Sequence, residues 1–257
     1  MKSLWNSFKI AFSMFSKIPM PQAEWSKENM KYMFCFFPFI GTAIGAVIMA
    51  VACLADRTGI NPVFVYVLLT VIPVLITGGI HVDGLLDTAD ALSSWQERKR
   101  RLEILKDSNA GAFAVITACV YFLLWVGAWS EICFHGETIG IMCLGFMVSR
   151  CFSGLGVILL PKAREDGTAA EFSRKSEDIP VRNTLVIYLV LLCALMIWIH
   201  PLIGAAAFLT ACGVFAYYRH MAMKYFGGTT GDLSGWFLCI CEVGMALVIA
   251  VVSAFGF

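Results

Sequence analysis

Charge is what this sequence has least of. Only 14% of its 257 residues are Asp, Glu, Lys or Arg, against roughly 25% in a soluble domain, while 59% are hydrophobic. Such a chain cannot clothe a water-facing surface, which excludes an ordinary soluble enzyme. The net charge of +1, from 19 basic and 18 acidic side chains, leaves no global field for nucleic acid. No CxxC pair occurs among the ten cysteines, so zinc ribbons and dithiol redox centres are excluded. All ten lie in or beside apolar runs and read as small, lipid-compatible hydrophobes. A signal peptide is also missing: Lys9 and Lys17 interrupt any apolar core near the start and no small-residue cleavage site follows, so insertion falls to the first true span. There is no Walker A sequence, no GxGxxG fingerprint and no internal repeat, and His81, His135, His200 and His220 have no metal-ligand spacing.

What is present is apolar sequence in long runs. A hydrocarbon core about 30 Å thick needs roughly 20 apolar residues per helix. Seven runs qualify: about Cys35 to Ala55, Val63 to Ile80, Ala110 to Ser130, Ile139 to Leu160, Thr184 to Ile199, Leu202 to Tyr218 and Leu233 to Phe257. The fifth and sixth are short and separated only by His200-Pro201, as a tight hairpin or a re-entrant pair would be, so the count lies between six and eight. The expected fold is an all-α polytopic membrane bundle that uses residues 1–257 as a single integral membrane domain. Before the first span, Leu4, Trp5, Phe8, Phe12 and Phe15 recur at helical spacing with Lys2, Lys9 and Lys17 nearby. That pattern suits an amphipathic helix in the interface, its lysines on headgroups, or a helix packed on the bundle.

Basic residues predict the orientation, because Lys and Arg beside spans stay on the cytoplasmic side. They concentrate in residues 1–34 and in the loops 81–109, 161–183 and 219–232, whereas the alternate loops hold only Arg57 or none. The N-terminus and every long polar loop are therefore expected in the cytoplasm of a multi-pass cell-membrane protein, facing nucleotides and activated phosphates.

One of those loops carries the strongest chemical signal, Gly78-Gly79-Ile80-His81-Val82-Asp83-Gly84-Leu85-Leu86-Asp87-Thr88-Ala89-Asp90. At about 100° per residue, positions 83, 87 and 90 fall within a roughly 60° arc of one helix. Three like charges that close repel, and a hard cation held by oxygen ligands is the usual compensation, which points to Mg2+ or Mn2+ that also holds substrate phosphate. The bland alternative is a helix cap with scattered ion pairs to Arg98, Arg100 or Arg101. Further along, Arg101, Lys106, Asp107 and Ser108 form a basic run and a polar turn suited to a phosphorylated substrate, although basic residues also flank spans for topological reasons. Arg164-Glu165-Asp166-Gly167-Thr168-Ala169 reads as a polar turn on the same side. Gly227-Gly228-Thr229-Thr230-Gly231-Asp232 reads as a glycine-rich turn whose N–H groups can approach phosphate, with Asp232 as a metal ligand or a helix cap. Arg150 and Glu242 lie inside apolar runs, where charge is either paired or functional. His81 reads as a bystander or a supporting group.

These blocks, together with Arg101-Leu102-Glu103-Ile104-Leu105-Lys106-Asp107-Ser108, Gly111-Ala112-Phe113 and Ser149-Arg150, resemble the cobalamin synthase family, the adenosylcobinamide-GDP ribazoletransferases, over most of the chain. Ala91 stands where the family commonly has glycine, and Phe226 where arginine commonly precedes Gly-Gly. The resemblance implies an Mg2+-dependent membrane transferase that joins adenosylcobinamide-GDP to α-ribazole or its 5'-phosphate and releases GMP. It implies Asp83, Asp87 and Asp90 as metal ligands, with Asp232 catalytic, and Arg101, Lys106, Asp107, Ser108, Arg150, Gly227, Gly228 and Gly231 around the substrate. Two other classes compete. A CDP-alcohol phosphotransferase also uses membrane helices and aspartates, but its Asp-Gly-x-x-Ala-Arg element is missing here. A divalent-cation transporter would place its polar residues within the spans rather than in loops.

Overall fold

In lipid an apolar run satisfies its own backbone polar groups only by coiling, and in the computed structural model every predicted run is a helix. The structure describes residues 2–107, 109–134, 136–164, 176 and 178–255. Its helices are α1 (Lys2–Phe15), α2 (Lys27–Met30), α3 (Met33–Thr58), α4 (Pro62–Thr77), α5 (Ile80–Ser93), α6 (Arg98–Ile104), α7 (Ala112–Glu131), α8 (Glu137–Leu159), α9 (Asp178–Ile199), α10 (Pro201–Met221) and α11 (Gly231–Ala254). A π-helical turn, Ala222–Phe226, continues α10. The described residues contain no strand, only an isolated bridge between Lys162 and Thr229.

Helices α3, α7, α8, α9, α10 and α11 are each long and apolar enough to cross a bilayer, which makes the protein a polytopic membrane protein. The predicted pair flanking His200-Pro201 is a hairpin of two full-length helices rather than a re-entrant loop. Helix α9 begins at Asp178, six residues before the predicted start, and buries Val181; His200 Nδ1 accepts from Ile203 N at 3.2 Å and Pro201 opens α10.

Helices α8 and α11 form the centre. Along α8, 83% of the most apolar stretch is buried inside the protein, and α3, α9, α10 and α11 pack around it. Helix α3 approaches closely through Gly41 and Gly45, where a Cβ would meet the Phe146 and Cys143 carbonyls, a small-residue contact of the kind that joins helices in membranes. The outer faces, among them Leu123 of α7 and Val190, Leu191 and Trp198 of α9, stay exposed and meet lipid.

The two intramembrane charges pair with each other. Arg150 Nη1 donates to Glu242 Oε1 at 2.6 Å and to the Phe146 carbonyl at 2.7 Å, and Ser149 Oγ donates to the same carboxylate at 2.8 Å. Arg150, expected at the substrate, is 1% exposed and paired with Glu242 of α11.

Helix α1 packs on the bundle. Leu4 and Trp5 face outward, whereas Phe8 meets Phe36 and Phe15 meets Phe37 of α3. Lys9 does not reach headgroups: it is buried and donates to the Gln22 carbonyl at 3.2 Å.

Candidate active site

The site depends on a break in the second apolar run. Gly78 and Gly79 are both left-handed, with φ of 68° and 81°, a conformation that costs a side-chain-bearing residue about 1 kcal/mol or more. Helix α4 ends there after 16 residues, about 24 Å, and α5 leaves at 95°. The aspartate segment is thus not a loop but a helix of its own, turned out of the span and packed against α11 and α7. At Gly84 the α11 backbone comes so near that a Cβ would lie 2.6 Å from the Asp232 carbonyl oxygen, which brings the α5 carboxylates beside Asp232.

Within this arrangement Asp83 is exposed and Asp87 and Asp90 are half-buried. Asp87 is the most perturbed: burial, then the charges of Asp83, Asp232, Asp90 and Asp107, push its carboxyl up from 3.8 to about 7. Asp90 has its own partners, since Oδ2 accepts from Gly111 N at 2.6 Å and Oδ1 from Ala114 N at 2.9 Å. It caps α7 from another helix, and a side chain on residue 111 would collide with its carboxylate. Asp232, at the start of α11, accepts from Arg164 Nη2 at 3.3 Å and from Thr230 Oγ1 at 3.4 Å. Arg164 is delivered by the short bridge in which Thr229 N donates to the Pro161 carbonyl and Ala163 N to the Thr229 carbonyl.

The carboxylates are all-oxygen donors, and apart from Arg164 on Asp232 the described residues show no ion pair to them, a chemistry that fits Mg2+ or Mn2+. As they stand, no three His, Cys, Asp or Glu side chains among the described residues form a ready-made ligand set.

The cationic residues lie to one side. Arg101 is 92% buried, its guanidinium 4.8 Å from the Tyr225 ring centre and its Nε unpartnered, while Arg98 covers Gly227. In the glycine turn two N–H groups are already engaged. Those of Gly227 and Gly228 both point to the Ala222 carbonyl, so neither is free for phosphate; Gly231 is exposed at the start of α11. Asp107 is exposed and accepts from Asn109 N and Nδ2, and Lys106 is exposed. Ser108 and the segment 165–170 lie outside the described residues.

Sequence alone missed the cavity behind the carboxylates. It has a volume of about 120 Å³ and is lined by Asp83 and Asp232, by Phe34 and Phe37 of α3 and by Phe15 of α1. His81 lines it as well. Burial pushes its imidazole down to about 3, so the ring is neutral, and its Nε2 has no hydrogen-bond partner. The one hint was a histidine two residues before the first aspartate; the aromatic walls come from distant helices.

A polytopic helical bundle with four aspartates on two touching helices, two of them lining an aromatic-walled cavity, defines a membrane enzyme of phosphoryl chemistry. The chain belongs to the cobalamin-5-phosphate synthase family, whose sequence model matches residues 7–250. A protein of Lachnoclostridium phytofermentans named adenosylcobinamide-GDP ribazoletransferase is 44% identical over 95% of this chain and 94% of its own length. Proteins of the same name from Clostridium botulinum and Desulfitobacterium hafniense are each 31% identical, covering 95% and 91% of this chain and 96% and 91% of their own lengths. No solved structure matches. Family membership decides against the phosphotransferase and transporter alternatives.

Proposed function

We propose that this protein joins adenosylcobinamide-GDP to α-ribazole, or to α-ribazole 5'-phosphate, in an Mg2+-dependent transfer that releases GMP. The names of the relatives support the reaction. The observation that carries it to these residues is the gathering of Asp83, Asp232 and Asp90 around Asp87, whose carboxyl is pushed up to about 7 by burial first and by these charges second.

In this reading the ribazole 3'-hydroxyl attacks the phosphorus attached to the cobinamide arm. A new P–O bond forms, the diphosphate bridge breaks, and GMP leaves with the electron pair. Asp83, Asp87 and Asp232, with the lone pairs that Asp90 has left, are the oxygens that would hold Mg2+. When bound, the ion neutralises charge on the diphosphate. One of these carboxylates, through an oxygen not committed to the ion, takes the hydroxyl proton. Arg164 balances Asp232, and Arg98 and Arg101 face the anionic substrate. The excess of Lys and Arg in the loops bearing these groups supports a cytoplasmic site and N-terminus in the cell membrane. Purified protein in detergent, given both substrates, should release GMP with Mg2+ and not with a chelator. No release in either condition would refute the reading.

A further inference from the structure

Thr229 stands at a junction beside the site. Its backbone N donates to the Pro161 carbonyl at 2.7 Å and its carbonyl accepts from Ala163 N at 3.0 Å, so it holds the segment that carries Arg164. Two residues on, the same chain enters α11 at Gly231 and Asp232. The two arms meet again where Arg164 Nη2 donates to Asp232 Oδ2 at 3.3 Å. Gly227 and Gly228, which precede Thr229, bring no side chains to pack, so the turn has to be fixed at Thr229 itself.

A hydroxyl from another helix fixes it. Thr229, Tyr218 of α10 and Ser234 of α11 are 1%, 0% and 7% exposed, and their hydroxyls form one cluster: Tyr218 Oη pairs with Thr229 Oγ1 and lies 3.2 Å from Ser234 Oγ. Counting donors assigns the protons. Ser234 Oγ donates to the Thr230 carbonyl at 3.0 Å and Thr229 Oγ1 to the same carbonyl at 3.3 Å. The remaining donor is the Tyr218 O–H, which closes on Thr229 Oγ1.

The ring behind that hydroxyl is held by packing. Phe237 lies against it at 5.1 Å between centroids, and α8 approaches at Gly156, where a Cβ would lie 2.9 Å from a ring carbon. A phenylalanine would fill the same space. Without the hydroxyl, Thr229 and Ser234 keep their bonds to the Thr230 carbonyl, so no buried donor is orphaned and folding loses little. What is lost is the link between the turn and α10.

We infer that Tyr218 is a positioning residue for the transfer: its hydroxyl anchors Thr229 to α10 and, through Thr229, sets both Asp232 and the Arg164 that balances it. This inference rests on the proposed reaction, in which Asp232 helps to hold the ion, and adds a residue that acts only through others.

Tyr218→Phe is the direct test. Misplacing a reacting group by about 1 Å costs on the order of a hundredfold in rate, so kcat for GMP release should fall by about that factor while the KM of each substrate stays within about twofold. The melting temperature in detergent should drop by no more than about 4 °C, the shift for one ordinary hydrogen bond in a chain of this size. Thr229→Val should reproduce the loss of turnover, and Thr229→Ser, which keeps the hydroxyl, should retain most of the activity. The double variant Tyr218→Phe/Thr229→Val should be no slower than the worse single, because both changes break the same bond. Hydrogen exchange in chelator gives a readout without turnover: the amides of Ala163 and Thr229 should exchange about tenfold faster in Tyr218→Phe, and those of α8 at the wild-type rate. Wild-type kcat or wild-type exchange in Tyr218→Phe would overturn the inference, as would losses that add in the double variant. Should Tyr218→Phe melt more than about 10 °C below wild type, the comparison of Thr229→Val with Thr229→Ser decides, and equal turnover in those two would overturn it. No GMP release by the wild-type protein would refute the reaction itself, and with it a role for Tyr218 in transfer, whatever the exchange showed.

Discussion

Asp90 is held by the first turn of α7, and this gives it a structural role that Asp83 lacks. Replacing it by alanine removes two charge-assisted bonds, from Gly111 N and Ala114 N, and the anion at a helix N-terminus. A bond to a charged acceptor contributes about 1.5–3 kcal/mol, and the helix-end interaction about 0.3–1 kcal/mol. Asp90 is half-buried, so water replaces part of this, and the lower end, about 3 kcal/mol, is expected for Asp90→Ala. Asp90→Asn keeps one acceptor and presents an amide to the other N–H, so about half the loss is expected. Asp83→Asn, at an exposed position, should stay within about 0.5 kcal/mol of wild type. A chain of this size shifts by about 2–4 °C per kcal/mol, which places the melting temperature of Asp90→Ala on the order of 6–12 °C below wild type. Intrinsic tryptophan fluorescence during heating in detergent and chelator measures this. An Asp90→Ala protein that melted with wild type, or an Asp83→Asn protein that fell equally far, would refute the assignment.

Three further outcomes are expected. Asp87 binds its proton more tightly in the folded protein, so between pH 4 and 7 the folded state carries the extra proton and stability falls as pH rises; melting curves in chelator should show that slope and Asp87→Asn should reduce it. Arg150→Ala or Glu242→Ala leaves one charge buried without its partner and should cost about 3–5 kcal/mol, whereas changing both to Met and Leu should restore most of the loss in the same melting assay. An alkaline-phosphatase fusion after Phe257 should be active and one after Asp107 inactive in a bacterial host; the reverse pattern would remove the site from the cytoplasm.

The spans were legible because hydropathy is a local property and each run is bounded by glycine, proline or charge. The common face of Asp83, Asp87 and Asp90 followed from helical periodicity in the same way. What escaped depends on contacts between distant residues. The run read as Val63 to Ile80 breaks at Gly78-Gly79, and the helix beyond it packs with Gly84 on the Asp232 backbone, nearly 150 positions away. Nothing local couples Asp90 to Gly111, or Arg164 to Asp232 across 68 positions. The engagement of the Gly227 and Gly228 N–H groups escaped for the same reason, because the Ala222 carbonyl they share lies in the π-helical turn. His81 carried no ligand spacing, and its burial appears only where α1, α3, α8 and α11 surround the ring.

The proposed transfer requires the carboxylates on α5 to act together at the reacting phosphate. Its most direct test is GMP release by Asp83→Asn, Asp87→Asn and the double variant, under saturating substrates with Mg2+. Both single changes preserve size, so each should lower turnover by at least about a thousandfold, and the double should be hardly slower than the worse single, as groups acting in one unit are strongly non-additive. Turnover near wild type in either single variant, at unchanged Mg2+ dependence, would contradict the claim.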